Sequence, residues 1–204
     1  MIAAVLLAAG SARRFGAPKL LQDLAGKPVV RWSAEALAGA PVDEVVVVVP
    51  PDYGALRAAL DGLDVRFVVN PDPAAGMGAS LACGVAALGS RVEAALVALA
   101  DEPSRDRSVL AEVVDRYRTG DASIVVPLFR GTRGHPVLFD RSVFAELLAL
   151  TGDRGARDIT DRDPGRVAIV ELAEDEPVDV DTPADLSRLR SAPQFMSPTQ
   201  PKPR

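Results

Sequence analysis

Glycines and cations are concentrated in one short segment near the start of the chain, LLAAGSARRFGAPKLL at residues 6–21. Gly10 and Gly16 permit unusual backbone angles and the close approach of a ligand, and successive backbone N–H groups can then face an anion. Arg14 offers a planar fork for phosphate oxygens, whereas Lys19 acts as a compact point charge. With the neighbouring arginine, these side chains predict a positive patch suited to a triphosphate.

The segment matches neither of two common phosphate-binding loops. The dinucleotide fingerprint G-x-G-x-x-G needs a second glycine two residues after the first, and none follows Gly10 at that position. The P-loop needs Gly-Lys-Ser/Thr, whereas Gly16 is followed by Ala17-Pro18-Lys19. The alternative interpretation is a surface loop with solvated arginines. The glycine pair, the lysine and the position after an apolar run together favour phosphate binding.

Two aspartates follow apolar runs elsewhere in the chain. Asp101 comes directly after residues 94–99, and Asp181 follows a second short strand. Mg²⁺ prefers one or two carboxylates together with phosphate oxygens and waters, so the two aspartates predict a metal site beside a triphosphate. A helix cap or turn is an equally weighted role for Asp181, whereas Ser104 suits the cap of the next helix better than Asp101 does. Glu102 is a weaker third ligand, because strand alternation points it away from Asp101.

Alternating strands and helices must position these side chains. Short apolar runs rich in β-branched residues predict six strands, at Ile2–Leu7, Glu44–Val49, Val65–Val69, Ala94–Leu99, Ser123–Val126 and Val167–Val170. Amphipathic stretches predict helices at Val29–Leu37, Tyr53–Leu60, Ala79–Leu88, Ser108–Tyr117 and Ser142–Leu150, and a capping box at Thr182–Asp185 predicts another. The pattern predicts a Rossmann-like, doubly wound α/β fold with a mostly parallel sheet and helices on both faces. Ligands of such sheets bind beyond the carboxyl ends of the strands, where the loop and both aspartates fall.

Composition excludes several other classes of protein. The chain of 204 residues carries 23 Lys and Arg against 28 Asp and Glu, a net charge of −5 that argues against nucleic-acid binding through phosphate contacts. One cysteine and one histidine exclude a disulfide framework and a cysteine or histidine metal cage. No run reaches the ~18 apolar residues of a membrane span, and the only basic residues near the first apolar run follow it, unlike a signal peptide. We expect a soluble cytoplasmic protein with one domain at residues 1–190 and a disordered, proline-rich tail at 191–204.

The segments resemble a known family. Residues 7–19, LAAG-x-x-x-R-F-G-x-x-K, are similar to the signature of MobA-like nucleotidyltransferases. Further segments resemble the molybdenum cofactor cytidylyltransferase branch in the same order along the chain: GMGASL (76–81), LADEP (99–103), RGHPVLF (133–139), LTGDRGAR (150–157) and DVDTPADL (179–186). The similarity extends from about residue 2 to residue 190, and the ordered set is far more specific than its first motif alone.

The resemblance implies a fold like that of nucleotide-diphospho-sugar transferases and a complete set of nucleotide ligands. Arg14 and Lys19 would bind the triphosphate, and Asp101 would hold Mg²⁺ with Asp181 as its second ligand. Of these, Arg14, Lys19 and Asp101 would be catalytic. The remaining nucleotide-binding residues would be Leu7, Ala8, Ala9 and Gly10 of the first loop, with Gly78 and Ser80 of the segment against the base. In this family Leu-Ala-Ala-Gly accompanies cytidine nucleotides and Leu-Ala-Gly-Gly guanosine nucleotides, which favours CTP.

The implied reaction transfers CMP from CTP to the terminal phosphate of molybdopterin or its molybdenum-loaded form, with release of pyrophosphate. A phosphate monoester is already an anionic nucleophile at neutral pH, so no general base is required. His135 and Arg157 would contact this phosphorylated pterin acceptor, although a turn histidine bonded to backbone and an exposed helix arginine are alternative interpretations. A molybdoenzyme or its maturation factor is a candidate protein partner.

Two departures from the family pattern bear on the substrate. Ala12 stands where the family often has serine, and Glu102 replaces an uncharged residue between the aspartate and the proline. Three other functions therefore stay open: guanylyl or other nucleotidyl transfer to a different phosphorylated acceptor, non-catalytic binding and delivery of molybdenum cofactor, and nicotinamide-dependent redox chemistry. The missing glycine fingerprint disfavours the last.

Overall fold

The computed structural model describes residues 1–10, 15–103, 106–152 and 155–196 of the chain. Several residues considered above lie outside this part, namely Ala12, Arg13, Arg14, Ser104 and the end of the tail. The strands are β1 (Ile2–Leu7), β2 (Asp23–Leu24), β3 (Lys27–Pro28), β4 (Glu44–Val49), β5 (Arg66–Val69), β6 (Ala94–Leu99), β7 (Ile124–Phe129), β8 (Thr132–Arg133), β9 (Val137–Asp140) and β10 (Val167–Leu172). The α-helices are α1 (Val29–Ala38), α2 (Gly54–Ala59), α3 (Met77–Ala86), α4 (Arg107–Arg118), α5 (Phe144–Leu148), α6 (Arg157–Arg162) and α7 (Pro183–Arg190).

A central sheet has the strand order β10-β7-β9-β6-β1-β4-β5, with β8 paired to β7, and β2 and β3 form a separate hairpin. The pairs of β1 with β4 and β6, of β4 with β5 and of β7 with β10 are all parallel. Only β9 runs antiparallel to both of its neighbours along this path, β6 and β7. The predicted mostly parallel sheet is thus confirmed. Residues 130–139, whose two glycines and one proline predict a loop with a short strand, contain β8 and the start of β9.

Helices cover both faces of this sheet, as the doubly wound prediction requires. One core packs α1, α2, α4 and α7 against one face of the sheet, and the other packs α3, α5 and α6 against the opposite face. All six residues of β1 are buried. Because small aliphatic side chains fill both cores, the unbroken apolar runs of the sequence correspond to strands enclosed on both faces.

The ends of the helices agree with the sequence prediction in some places and differ in others. The capping box of α7 is present, with Asp185 N donating to Thr182 Oγ1 at 3.3 Å. The cap of α4 is Asp106, which accepts from Ser108 N at 2.9 Å, instead of the predicted Ser104. Helix α6 was not predicted, because its sequence RDITDR is too short and too polar to show an apolar period.

The C-terminal segment differs from the predicted disorder in its first six residues. Pro193–Phe195 form a turn of 3-10 helix, and the buried Phe195 ring meets the Trp32 ring edge-on at 5.0 Å between centroids. Burial of this aromatic side chain stabilises an ordered segment that proline content alone does not predict. Within the described residues, every helix is too short or too polar to cross a membrane.

Candidate active site

The carboxyl end of β1 begins the site. Ala8 N donates to Val48 O at 2.8 Å, and Ala100 N donates to Leu7 O at 3.1 Å, so the chain stays clamped between β4 and β6 just beyond β1. Ala8 and Ala9 are buried, whereas Gly10 is exposed. The backbone therefore emerges from the sheet at the point where the predicted phosphate loop starts.

Lys19 follows that loop in the chain, and its side chain lies at the ends of the strands. It begins a turn of 3-10 helix, Lys19–Leu21, whose Leu20 is buried in the core. Lys19 Nζ donates to Asp101 Oδ2 at 2.5 Å and to Asp181 Oδ1 at 2.9 Å. The structure thus brings together three of the predicted residues, although 82 and 162 residues separate the two aspartates from the lysine.

Backbone contacts hold the two aspartates in place. Asp101 follows β6, and its carbonyl oxygen accepts from Val180 N at 2.9 Å, which attaches the segment before α7 to the end of β6. Asp181 N donates to Asp185 Oδ2 at 3.2 Å, so the capping box of α7 also orients Asp181. The alternative role of Asp181 as a cap is not observed, since Thr182 caps α7.

Partial burial makes the charges of this cluster interact strongly. Desolvation alone would lower the pKa of Lys19, but the nearby Asp101 and Asp181 carboxylates outweigh it and raise that pKa. Desolvation and repulsion from the same carboxylates raise the pKa of Asp179 to about 6, against smaller opposing effects of His135 and Lys19. Asp179 is exposed as a whole residue, but the partial burial of its carboxyl group and the neighbouring negative charges together disfavour its ionised form.

Sequence reasoning missed Asp179. The two-residue period of an extended segment could have indicated it. Asp179 and Asp181 are two residues apart in DVDTPADL, and side chains at that spacing in an extended segment point to the same side. Asp179 therefore adds a third carboxylate that interacts electrostatically with Lys19 and the other two aspartates.

The donor set suits a divalent cation once anions approach. Asp101 and Asp181 contact the same nitrogen atom, so their carboxylates flank a space the size of one ammonium group. Within the described ranges no three His, Cys, Asp or Glu side chains form a ready-made metal group. Two carboxylates completed by phosphate oxygens and waters are the arrangement that Mg²⁺ prefers, so these residues fit that ion.

A first cavity of about 560 Å³ lies beside Lys19. It is lined by Ala8, Ala9 and Gly10 from the end of β1 and, on its far side, by Asp52 and Pro73. Residues 8–10 at the end of β1 and Lys19 thus border a space large enough for a nucleotide. Arg14, the other predicted triphosphate ligand, lies outside the described residues.

The predicted base-contacting segment has mainly structural contacts. Gly78 N donates to Gly152 O at 2.8 Å, and Ser80 Oγ accepts from Asn70 Nδ2 at 3.0 Å. Gly78 and Ser80 are buried, and neither lines the first cavity. Their assignment to the nucleotide stays a prediction, because these contacts already use the groups expected to bind it.

A second cavity of about 200 Å³ brings the two predicted acceptor residues together. His135 and Arg157 line it with Asp179 and Glu102, and Leu7 contributes to its apolar part instead of to the first cavity. His135 Nδ1 lies 3.2 Å from Glu102 Oε1. The sequence predicted Glu102 as a weaker metal ligand and His135 as an acceptor contact, and it did not predict that the two side chains pair. Lys19 lines the first cavity, and Glu102 and Asp179 of the second cavity lie within two residues of Asp101 and Asp181 in the chain.

Comparison with known proteins places the chain among nucleotidyltransferases. The MobA-like NTP transferase domain matches residues 4–167. Nicotine blue oxidoreductase of Paenarthrobacter nicotinovorans is 31% identical over 196 residues, covering 92% of this chain and 96% of that protein. A probable molybdenum cofactor guanylyltransferase of Natronomonas pharaonis is 34% identical over 200 residues, covering 91% and 95%. The manganese complex of Rv0371c from Mycobacterium tuberculosis has a TM-score of 0.77 at 30% identity, covering 92% of this chain and 97% of that one.

Proposed function

The chain belongs to the MobA-like NTP transferase family and is a nucleotidyltransferase, and on that premise we propose that it transfers CMP from CTP to the terminal phosphate of molybdopterin or its molybdenum-loaded form. The observation that carries the proposal is the convergence of Lys19 Nζ, Asp101 and Asp181 beside a cavity lined by residues 8–10. Cation, carboxylates and a backbone cradle together suit a triphosphate and its metal ion.

Neutralisation of charge is the main task of this site. The acceptor phosphate and the α-phosphate of the nucleotide are both anions, and Lys19 brings a positive charge to the point where they must meet. Because Lys19 Nζ already contacts two carboxylates, it lies within a short side-chain movement of phosphate oxygens bound in the same space. Arg14 would add a second cation from the same loop.

Asp101 and Asp181 would hold the divalent cation, for which we propose Mg²⁺. When bound, the ion neutralises phosphate charge and orients the pyrophosphate that departs. The manganese in the Rv0371c complex supports a divalent metal in this family. Without the cation, the carboxylates of Asp101, Asp179 and Asp181 would repel the triphosphate. Nucleotide and cation should therefore bind together.

The second cavity suits the acceptor. An oxygen of its terminal phosphate forms the new bond to the α-phosphorus, and the bond from that phosphorus to the β-phosphate oxygen breaks as pyrophosphate leaves. The second pKa of a phosphate monoester is about 6, so the nucleophile is ionised without a base. His135 and Arg157 would hold this phosphate, and the apolar residues of the cavity, including Leu7, Leu81 and Val97, would contact the pterin.

Guanylyl transfer is the second candidate, because the Natronomonas relative is named a guanylyltransferase. The sequence Leu7-Ala8-Ala9-Gly10 favours CTP, since Ala9 stands where guanosine-specific members have glycine. The test is to incubate the protein with Mg²⁺, molybdopterin or molybdenum cofactor, and each nucleoside triphosphate in turn, and to measure pyrophosphate. We expect release with CTP, whereas release with GTP alone would favour the second candidate.

Asp101→Asn separates catalysis from simple binding. This variant should lose metal-dependent pyrophosphate release by about 10²-fold or more, because it removes a metal ligand. A delivery protein would instead bind and hand over the cofactor equally well after the change. Consumption of NAD(P)H, followed in the same reactions, tests the redox alternative. Failure of the folded protein with every nucleotide would contradict the proposal.

A further inference from the structure

A buried carboxylate, that of Glu102, directly follows the proposed metal ligand Asp101 in the chain. Glu102 is only 5% exposed, and its Oε1 lies 3.2 Å from His135 Nδ1 in the second cavity. A carboxylate is costly to bury without a partner. The contact with His135 therefore has a physical reason, and it gives this glutamate a position in the acceptor cavity.

Two consecutive carboxylates, those of Asp101 and Glu102, follow β6 and contact different partners. Asp101 contacts Lys19, whereas Glu102 contacts His135, and both residues lie in the turn that follows β6. The buried Ser33 hydroxyl stabilises this turn, because its Oγ lies 3.1 Å from Ala100 O and 3.2 Å from Glu102 O. The dipeptide at positions 101 and 102 thus joins the nucleotide side of the site to the acceptor side.

We propose that Glu102 is a positioning residue for the acceptor: its carboxylate accepts a hydrogen bond from His135 Nδ1–H and orients the imidazole so that Nε2 contacts the terminal phosphate. The inference rests on the proposed function, since it names how that acceptor is held. A partner at one ring nitrogen determines both the tautomer and the orientation of the other nitrogen. Glu102 acts through His135 and touches no reacting atom.

Substitutions at position 102 distinguish this role from a purely structural one. A positioning role predicts weaker binding of the acceptor with nearly unchanged binding of CTP, whereas a structural role predicts weaker binding of both. Glu102→Leu removes the acceptor of the Nδ1 proton, and Glu102→Gln keeps an oxygen that can still accept it. We expect the leucine variant to raise KM for the phosphorylated acceptor by about 10- to 100-fold, the usual range for loss of an orienting partner. KM for CTP should change less than about threefold, because Asp101 and Lys19 keep their contact.

The single histidine of the chain permits a direct spectroscopic test. In protein labelled with ¹⁵N-histidine, the two imidazole nitrogens belong to His135 alone. With the neutral ring, we expect the proton on Nδ1 in the unchanged protein and in Glu102→Gln, and on Nε2 in Glu102→Leu. Glu171→Gln, an exposed carboxylate on β10, is the control and should alter neither the spectrum nor KM.

His135→Ala completes the comparison. Because Glu102 acts through His135, combining Glu102→Leu with His135→Ala should cost little more than His135→Ala alone. Multiplicative losses, an unchanged tautomer in the folded leucine variant, or an equal rise in both KM values would overturn the inference. Absence of CTP turnover by the unchanged protein would overturn the proposed function instead, and the tautomer measurement would still decide whether Glu102 orients His135.

Discussion

Removal of the Lys19 charge should both destabilise the protein and reveal its cation site. Lys19→Met keeps most of the apolar part of the side chain but leaves Asp101 and Asp181 facing each other without the ammonium group that now contacts both. Unit charges about 3 Å apart interact by roughly 5 kcal/mol at an effective dielectric constant of ~20. Desolvation of the lysine offsets part of this, since burial works to lower its pKa.

The exposure of the side chains sets the expected magnitude. Exposed ion pairs contribute about 0–1 kcal/mol, and breaking a buried pair costs about 3–5 kcal/mol. The Lys19 side chain is 13% exposed and that of Asp181 36%, so the cluster lies between these limits. We expect a loss of about 2–3 kcal/mol in the free energy of unfolding at neutral pH, or a fall in Tm of about 5–10 °C.

Urea unfolding in EDTA, with and without added Mg²⁺, measures both effects. The cation should take the position of the lost ammonium group, so Mg²⁺ at about five times its Kd should return roughly 1 kcal/mol to Lys19→Met. Lys27→Met is the matched control: Lys27 contacts Glu35 at 2.7 Å but is 40% exposed. It should cost less than about 1 kcal/mol and show no such recovery. Equal losses in both variants, or equal stabilisation of both by Mg²⁺, would refute the reasoning.

Two further predictions concern contacts made by helices α3 and α4. Gly78→Ala should destabilise the protein by about 1–3 kcal/mol in urea unfolding, because a Cβ there would lie 3.0 Å from Gly152 O; unchanged stability would show that the backbone at 152 yields easily. Tyr117→Phe removes the 2.6 Å hydrogen bond to Asp140 Oδ2 and should cost about 1–2 kcal/mol at pH 7. Burial alone would raise the pKa of Asp140, but hydrogen bonds led by that from Tyr117 lower it. The stabilisation is therefore present above the ordinary carboxyl pKa, and the difference between the variant and the unchanged protein should shrink at about pH 3; an equal difference at both pH values would contradict this.

The strands of the central sheet could be predicted closely because burial on both faces leaves a plain signal. β1, β4 and β6 have the bounds expected from their apolar runs. Helix α6 and the turn at Pro193–Phe195 are short and polar or proline-rich, and they are stabilised by tertiary contacts such as that of Phe195 with Trp32. Local pattern carries no information on such contacts, which explains why both were missed.

Convergence of Lys19 with Asp101 and Asp181 followed from topology, because the carboxyl ends of parallel strands share one edge. The partners of Glu102 and Asp179 could not be predicted from topology in the same way. Strand alternation indicated that Glu102 faces away from Asp101, but whether it would meet solvent, core or another polar group depended on what packs beside β6. Likewise, the raised pKa of Asp179 arises from desolvation and from two carboxylates that folding brings near it, one of them 78 residues earlier in the chain.

The antiparallel strand β9 explains why His135 reaches this site at all. β9 pairs with β6 in the register Val97 with Val137 and Ala94 with Asp140, so the amino end of β9 lies at the carboxyl end of β6. His135, two residues before β9, is thereby brought beside Glu102, three residues after β6. In a parallel arrangement the start of β9 would lie at the opposite edge of the sheet, away from the strand-end aspartates. The one reversed strand in the path thus brings His135 to the sheet edge at which Asp101 contacts Lys19.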